Sequence, residues 1–229
     1  HSYMLSHSVA HFELEDTAKL FIYIDGGFKE PAEFEHAEAR TWGMCAVAQS
    51  YTGHQKLVCS TCGPIVFEED IGLYLGQMDD ASSLVPELYA QVVARMFILQ
   101  YAPYFTSCSC TPVEIIYDNM GANSLAVSAK ASLSQPDLAS LCKILDIVVA
   151  KLYPDISCSH VKSHVDLPWN ELADKLCDYA RSRTADRVIT SVSTPFNNHC
   201  IRCLIAYVTS RIASISNQLV DGDCSYDGS

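Results

Sequence analysis

The sequence predicts an α/β domain built on a mixed five-stranded sheet: three strands in an antiparallel meander, two further parallel strands, and helices on both faces. Three observations carry this expectation. Three β-rich apolar runs follow one another between residues 19 and 60 with no helical period between them. Two later apolar runs alternate with stretches of three- and four-residue hydrophobic spacing, the pattern of helix-linked parallel strands whose crossovers cover a sheet. Carboxylates close two of the apolar runs and stand near the starts of two helical ones, as in a site gathered at the carboxyl ends of strands.

Residues 1–16 are polar and lack a clear period, and are read as a leader. Because the first residue is His1 and not methionine, the chain is expected to be a segment of a longer polypeptide. The domain is placed at 17–183. Its first strand, 19–24, ends in Asp25-Gly26-Gly27, which predicts that Asp25 sits at a strand end or sharp turn. Strands at 42–51 and 55–60 follow, with Thr52-Gly53-His54 as the hairpin turn between them. Residues 61–82 mix glycine, acid and aromatics and read as an insertion with a short strand at 65–67.

From 86 to 101 the spacing of Leu88, Val92, Met96 and Leu99 predicts a helix, with Pro86 suited to its first position and Glu87 in its first turn. The run 113–117 is a buried strand closed by Asp118-Asn119, and 121–131 has the small-residue composition of a packed helix. An amphipathic helix is expected over 136–152, a strand over 155–161, a loop over 164–170, and a helix over 171–181 with Asn170 as N-cap. The predicted order is βββαβααβα. Residues 184–229 form an extension with one apolar helix at 201–219 and an acidic Gly/Ser tail.

At 229 residues and 49% apolar content, the chain has enough material for a buried core. No apolar run reaches the roughly 18–20 residues of a bilayer-spanning helix, so no membrane partner and an intracellular location are expected. The 11 cysteines fall within apolar strands and helices, which favours a reducing compartment. Cys59/Cys62 and Cys200/Cys203 have the spacing of zinc-binding pairs, but they lie far apart, and free cysteine commonly packs as a small hydrophobe. The net charge of −12 opposes nucleic-acid binding. That acid is unevenly spread, however: Glu68, Glu69, Asp70, Asp79 and Asp80 form a block with no basic residue among them. Between Lys162 and Arg187 five basic residues balance five acidic ones, and a phosphate would be met there.

Asp25, Glu87, Asp118 and Asp174 are the candidate site. Each has a bland reading, since aspartate favours turns and an acid in a first helical turn answers the helix dipole. Together they imply chemistry. Four carboxylates in one pocket repel and take up protons unless divalent cations neutralise them, and hard oxygen donors favour magnesium or manganese.

Four blocks carry a resemblance: Asp25-Gly26-Gly27 after a strand, Glu87-Leu88-Tyr89-Ala90 opening a helix, Asp118-Asn119 after the next strand, and the run from His164 through Asn170-Glu171-Leu172-Ala173-Asp174. Over residues 17–183 the chain resembles type 1 ribonuclease H domains, of the kind carried by eukaryotic non-LTR retroelement reverse-transcriptase polyproteins. The resemblance implies a ribonuclease H-like fold and an endoribonuclease that cuts the RNA strand of RNA–DNA hybrids by two-metal-ion catalysis, using two magnesium or manganese ions. Asp25, Glu87, Asp118 and Asp174 match the metal-binding acids, and His164 matches a mobile-loop histidine that assists water activation or product release. Asn170 matches the residue shaping that loop, and Gly26 and Gly27 would let the backbone approach the minor groove of the hybrid. Ser83 and Asn119 complete the implied substrate contacts.

Two departures qualify the resemblance. No Lys/Arg-rich helix or loop follows the long amphipathic segment, which points to a reverse-transcriptase domain in the same polyprotein as the source of affinity. The acidic block at 68–80 would oppose substrate if it faced it. The alternatives are a catalytically weak ribonuclease H-like module that binds or scaffolds, and a transposase- or integrase-like nuclease using a smaller acidic triad on DNA.

Overall fold

A computed structural model describes residues 17–29, 40–65, 83–101, 111–127, 135–162 and 167–185. The elements run β1 (Thr17–Phe28), β2 (Arg40–Ser50), β3 (Gln55–Pro64), α1 (Leu84–Tyr101), β4 (Val113–Tyr117), α2 (Met120–Val127), α3 (Pro136–Leu152), β5 (Ile156–His160) and α4 (Pro168–Ala185). The predicted order βββαβααβα is the one found. The strands form one mixed sheet in the order β3-β2-β1-β4-β5. β1, β2 and β3 pair antiparallel, whereas β1–β4 and β4–β5 are parallel. This is the mixed five-stranded sheet, three antiparallel strands and two parallel ones with helices, expected from the sequence.

Alternation along β1 divides its side chains between two cores. Leu20, Ile22 and Ile24 join the larger core, shared with Leu88 and Ile98 of α1 and Leu138 of α3. Tyr23 faces the opposite side, with Ala173 and Leu176 of α4. Helices therefore cover both faces. Arg95 of α1 is completely buried in the larger core, and its charge is answered across the interface: Nε donates to Asp146 Oδ1 of α3 at 3.0 Å. A buried cation without such a partner is costly, so this pair fixes α1, and Glu87 with it, against α3.

β1 departs from the sequence expectation. It does not end or turn at Asp25 but continues through Gly26 and Gly27 to Phe28. Its parallel pairing to β4 stops at Tyr23↔Ile116, while antiparallel pairing to β2 goes on through Gly26↔Trp42 and Gly27↔Thr41. The neighbouring strand supplies hydrogen bonds that no local signal announces. β3 likewise runs on to Pro64, so the strand expected at 65–67 is not separate at its start: Ile65 follows β3 and donates its N–H to Arg40 O at 3.1 Å.

α1 begins at Leu84, which makes Pro86 its third residue, a position whose N–H has no intrahelical acceptor. α4 begins at Pro168, and Glu171 N donates to Leu167 O at 3.0 Å, so Asn170 lies inside the helix and is not its N-cap. Pro168, with its preset φ, opens the helix instead. Asp174 is consequently in the second turn, and Glu171 is the first-turn acid.

Cys59 packs against the larger core and Cys62 lies in the α4-side core, as residues three apart in a strand must. Facing opposite ways, the two thiols do not form a chelating pair. No helix among the described residues is long and apolar enough to cross a membrane. The acidic block at 68–80, the leader at 1–16 and the helix expected at 201–219 lie outside the described residues.

Candidate metal and nucleic-acid site

The parallel register assembles the site. Tyr23 pairs with Ile116, so counting two residues on from each brings Asp25 level with Asp118, just past the end of β4. Glu87, in the first turn of α1, is brought in by the packing of that helix on β1. The ligand oxygens of Asp25, Glu87 and Asp118 all lie within 4.8 Å of one another. Asp174 stands apart from this trio, on the α4 wall of the same cleft.

The cleft is open, with a volume of about 300 Å3. One wall is formed by Asp25, Gly26, Gly27 and Phe28 of β1 with Asp118. The other is one face of α4: Asn170, Glu171, Asp174, Asp178 and Arg181, spaced at three- and four-residue steps.

Electrostatics set the chemistry of the acids. Burial, then the charges of Asp118 and Asp174, push the Asp25 carboxyl up to about 6, against the Gly26 N–H bonded to its Oδ1 at 2.9 Å. Glu87 is pushed up to about 9 by burial first and by Asp25 and Asp118 next, with hydrogen bonds from the Asn119 side chain and Gly26 backbone pulling it back. Such a set binds protons in place of counter-charge. Carboxylate oxygens at this mutual spacing suit a hard divalent cation, which would restore both groups to the charged form.

The two glycines are used on opposite faces. A Cβ on Gly26 would lie 2.3 Å from Glu87 N, and one on Gly27 would lie 2.9 Å from Cys177 Cβ of α4. The missing side chains let both helices close on β1, while the backbone of both residues lines the cleft. Gly26→Ala is therefore expected to displace the start of α1. A loss of about 1–3 kcal/mol in denaturant unfolding is expected from the overpacking, together with weaker metal binding. An alanine variant as stable as the parent would contradict this contact.

Asn119 is occupied: its Oδ1 caps α2, accepting from Ala122 N at 3.0 Å, and its side chain also reaches Glu87. Asn170 is buried with its Oδ1 unpartnered. Ser83 is exposed just before α1 and is not among the cleft-lining residues. His164 lies outside the described residues.

Sequence reading named Arg181 only among the five basic residues of 162–187 where a phosphate would be met, and did not place Phe28, Glu171 or Asp178 in the cleft, although the helical period from Asp174 reaches Asp178 and Arg181. It also missed His160, whose Nε2 is 3.0 Å from Asp118 O. The signal for His160 was available in the parallel pairing of β4 and β5, which sets it opposite Tyr117.

No family model matches the chain, and no curated protein sequence matches it. Solved structures similar to it include RNase H1 of the archaeon Halobacterium salinarum, 19% identical with a TM-score of 0.46, over 72% of this chain and 98% of that one. The N-terminal RNase H domain of a Mycobacterium tuberculosis protein is 17% identical with a TM-score of 0.47, over 74% and 97%. The foamy-virus RNase H domain is 17% identical with a TM-score of 0.45, over 73% and 96%. At these values the functional reading rests on this chain's own residues.

Proposed function

We propose that the chain is an endoribonuclease that hydrolyses the RNA strand of RNA–DNA hybrids with the help of two magnesium or manganese ions. The observation that supports it most is the convergence of Asp25, Glu87 and Asp118 within 4.8 Å, two of them lining an open cleft whose other wall carries Asp174. When bound, such ions would supply an activated water and stabilise the leaving oxygen of a phosphodiester. Asp25, Glu87 and Asp118 would hold one side of that centre, and Asp174 the other. Asn119 orients Glu87 by hydrogen bonding, and His160 fixes the backbone that carries Asp118.

In this reading His164 holds or passes a proton during the reaction, acting on turnover more than on affinity. His164→Ala is expected to lower kcat by roughly 10–100-fold with little change in hybrid binding. An unchanged kcat would make it a surface loop residue. The reading also sets the chain within a longer intracellular retroelement polyprotein, where a reverse-transcriptase domain supplies the basic surface that a chain of net charge −12 lacks.

Incubating labelled RNA–DNA hybrid, duplex DNA and duplex RNA with the protein and magnesium tests the proposal. Hybrid alone should be cut, in its RNA strand. Binding without cleavage would indicate a scaffolding module, and cleavage of duplex DNA would indicate an integrase-like nuclease.

A further inference from the structure

Among the described residues, Arg181 is the one basic side chain lining a cleft that also presents Asp25, Asp118, Glu171, Asp174 and Asp178. Its position is built. Nη2 packs against β1 where a Cβ on Gly27 would come within 2.9 Å, and Nε is buried without a hydrogen-bond partner. Nη1 donates to Asp178 Oδ1 at 2.8 Å, and the side chain remains 23% exposed. Arg181 follows Asp174 by seven residues on the same helix face, about 10 Å along the axis. The guanidinium leans back along α4 to Asp178 and lies against Gly27 of β1, beside the acids in the same groove and paired with none of Asp25, Glu87 or Asp118, so it is placed for the backbone next to a phosphate held at the acids.

Asp178 is 51% exposed and also lies 3.5 Å from Lys175 Nζ. An ion pair this exposed contributes little to stability, so its exchange for another anion is inexpensive. A phosphate oxygen pair suits the guanidinium fork better than the single carboxylate oxygen that now meets it.

We propose that Arg181 is a substrate-positioning residue that takes a flanking backbone phosphate of the bound nucleic acid, and that Asp178 holds its guanidinium in place until that phosphate displaces it. This rests on the hydrolase reading above. It also answers the adverse net charge, since one seated cation in the groove orients a backbone that the acids would otherwise repel.

The test is binding of a non-hydrolysable RNA–DNA hybrid in calcium, followed by fluorescence anisotropy over a salt series. Arg181→Ala should weaken binding by about 5–20-fold and reduce the salt slope by about 1. Arg181→Lys should keep the slope but recover only part of the affinity, because it lacks the fork. Asp178→Asn should tighten binding by about 2–5-fold in the parent but by clearly less in the Arg181→Ala background, because the competing anion acts through the guanidinium. In cleavage assays the Arg181→Ala loss in kcat/KM should fall mostly on KM. Should Arg181→Ala fail to fold, the lysine and Asp178→Asn variants carry the test, with thermal melts as control. A parental salt slope in Arg181→Ala, or weaker binding in Asp178→Asn, overturns the proposal. A parent protein that binds hybrid without cutting it defeats the hydrolase reading while the Arg181 slope still decides this one. A parent that binds no hybrid defeats both.

Discussion

Asp25→Asn or Asp118→Asn is expected to lower hybrid cleavage by at least about 100–1,000-fold, the scale seen when one preorganised electrostatic contact to a transition state is removed. Both residues sit where β1 and β4 part, with their oxygens within 4.8 Å of each other and of Glu87. An amide keeps the shape but removes the charge that would hold a divalent ion. The fold should persist, since each substitution relieves repulsion instead of opening a cavity. Single-turnover cleavage alongside circular dichroism separates the two effects. Activity within a few-fold of the parent in either variant would remove the acids from the site.

Without divalent ions, Glu87 is expected to cost the protein stability as pH rises. Its carboxyl moves from an ordinary 4.5 to about 9, and that of Asp25 from 3.8 to about 6, with burial the largest cause in each. Both folded-state values are raised, so between the ordinary and the raised value the native state binds more protons than the unfolded one. The contribution of each group is fully present below pH 4 and lost as pH climbs, through about 6 for Asp25 and about 9 for Glu87. Glu87→Gln removes the larger of these costs. In chelator its melting temperature should exceed the parent's by a margin that widens from pH 4 to pH 9, about 2–4 °C for each kcal/mol relieved. Magnesium should reverse the order, because ligand at 100 times its Kd stabilises the parent by about 2.7 kcal/mol and the variant by less. A difference that stays flat across that pH range would show that Glu87 is not strained by its surroundings.

The sequence by itself determined the order of elements, the bounds of β4 and α3, and the places of four acids along the chain. Those features are written in local signals: a five-residue apolar run between 113 and 117, a 3.6-residue period opened by Pro136, carboxylates following apolar stretches. Tertiary structure decided the rest. β1 extends through two glycines because β2 pairs with it there, and the glycines are needed because α1 and α4 close on them from opposite faces. Asn170 looked like a cap on local grounds, yet Pro168 opens the helix and leaves that amide buried in the cleft wall. Arg181 and His160 carry no motif of their own. One reaches the cleft by helical period and the other reaches Asp118 by strand register, so each acquires its neighbours only when residues far apart in the chain are packed together. Hydrophobic period reports which face of an element is buried, but not what lies against it.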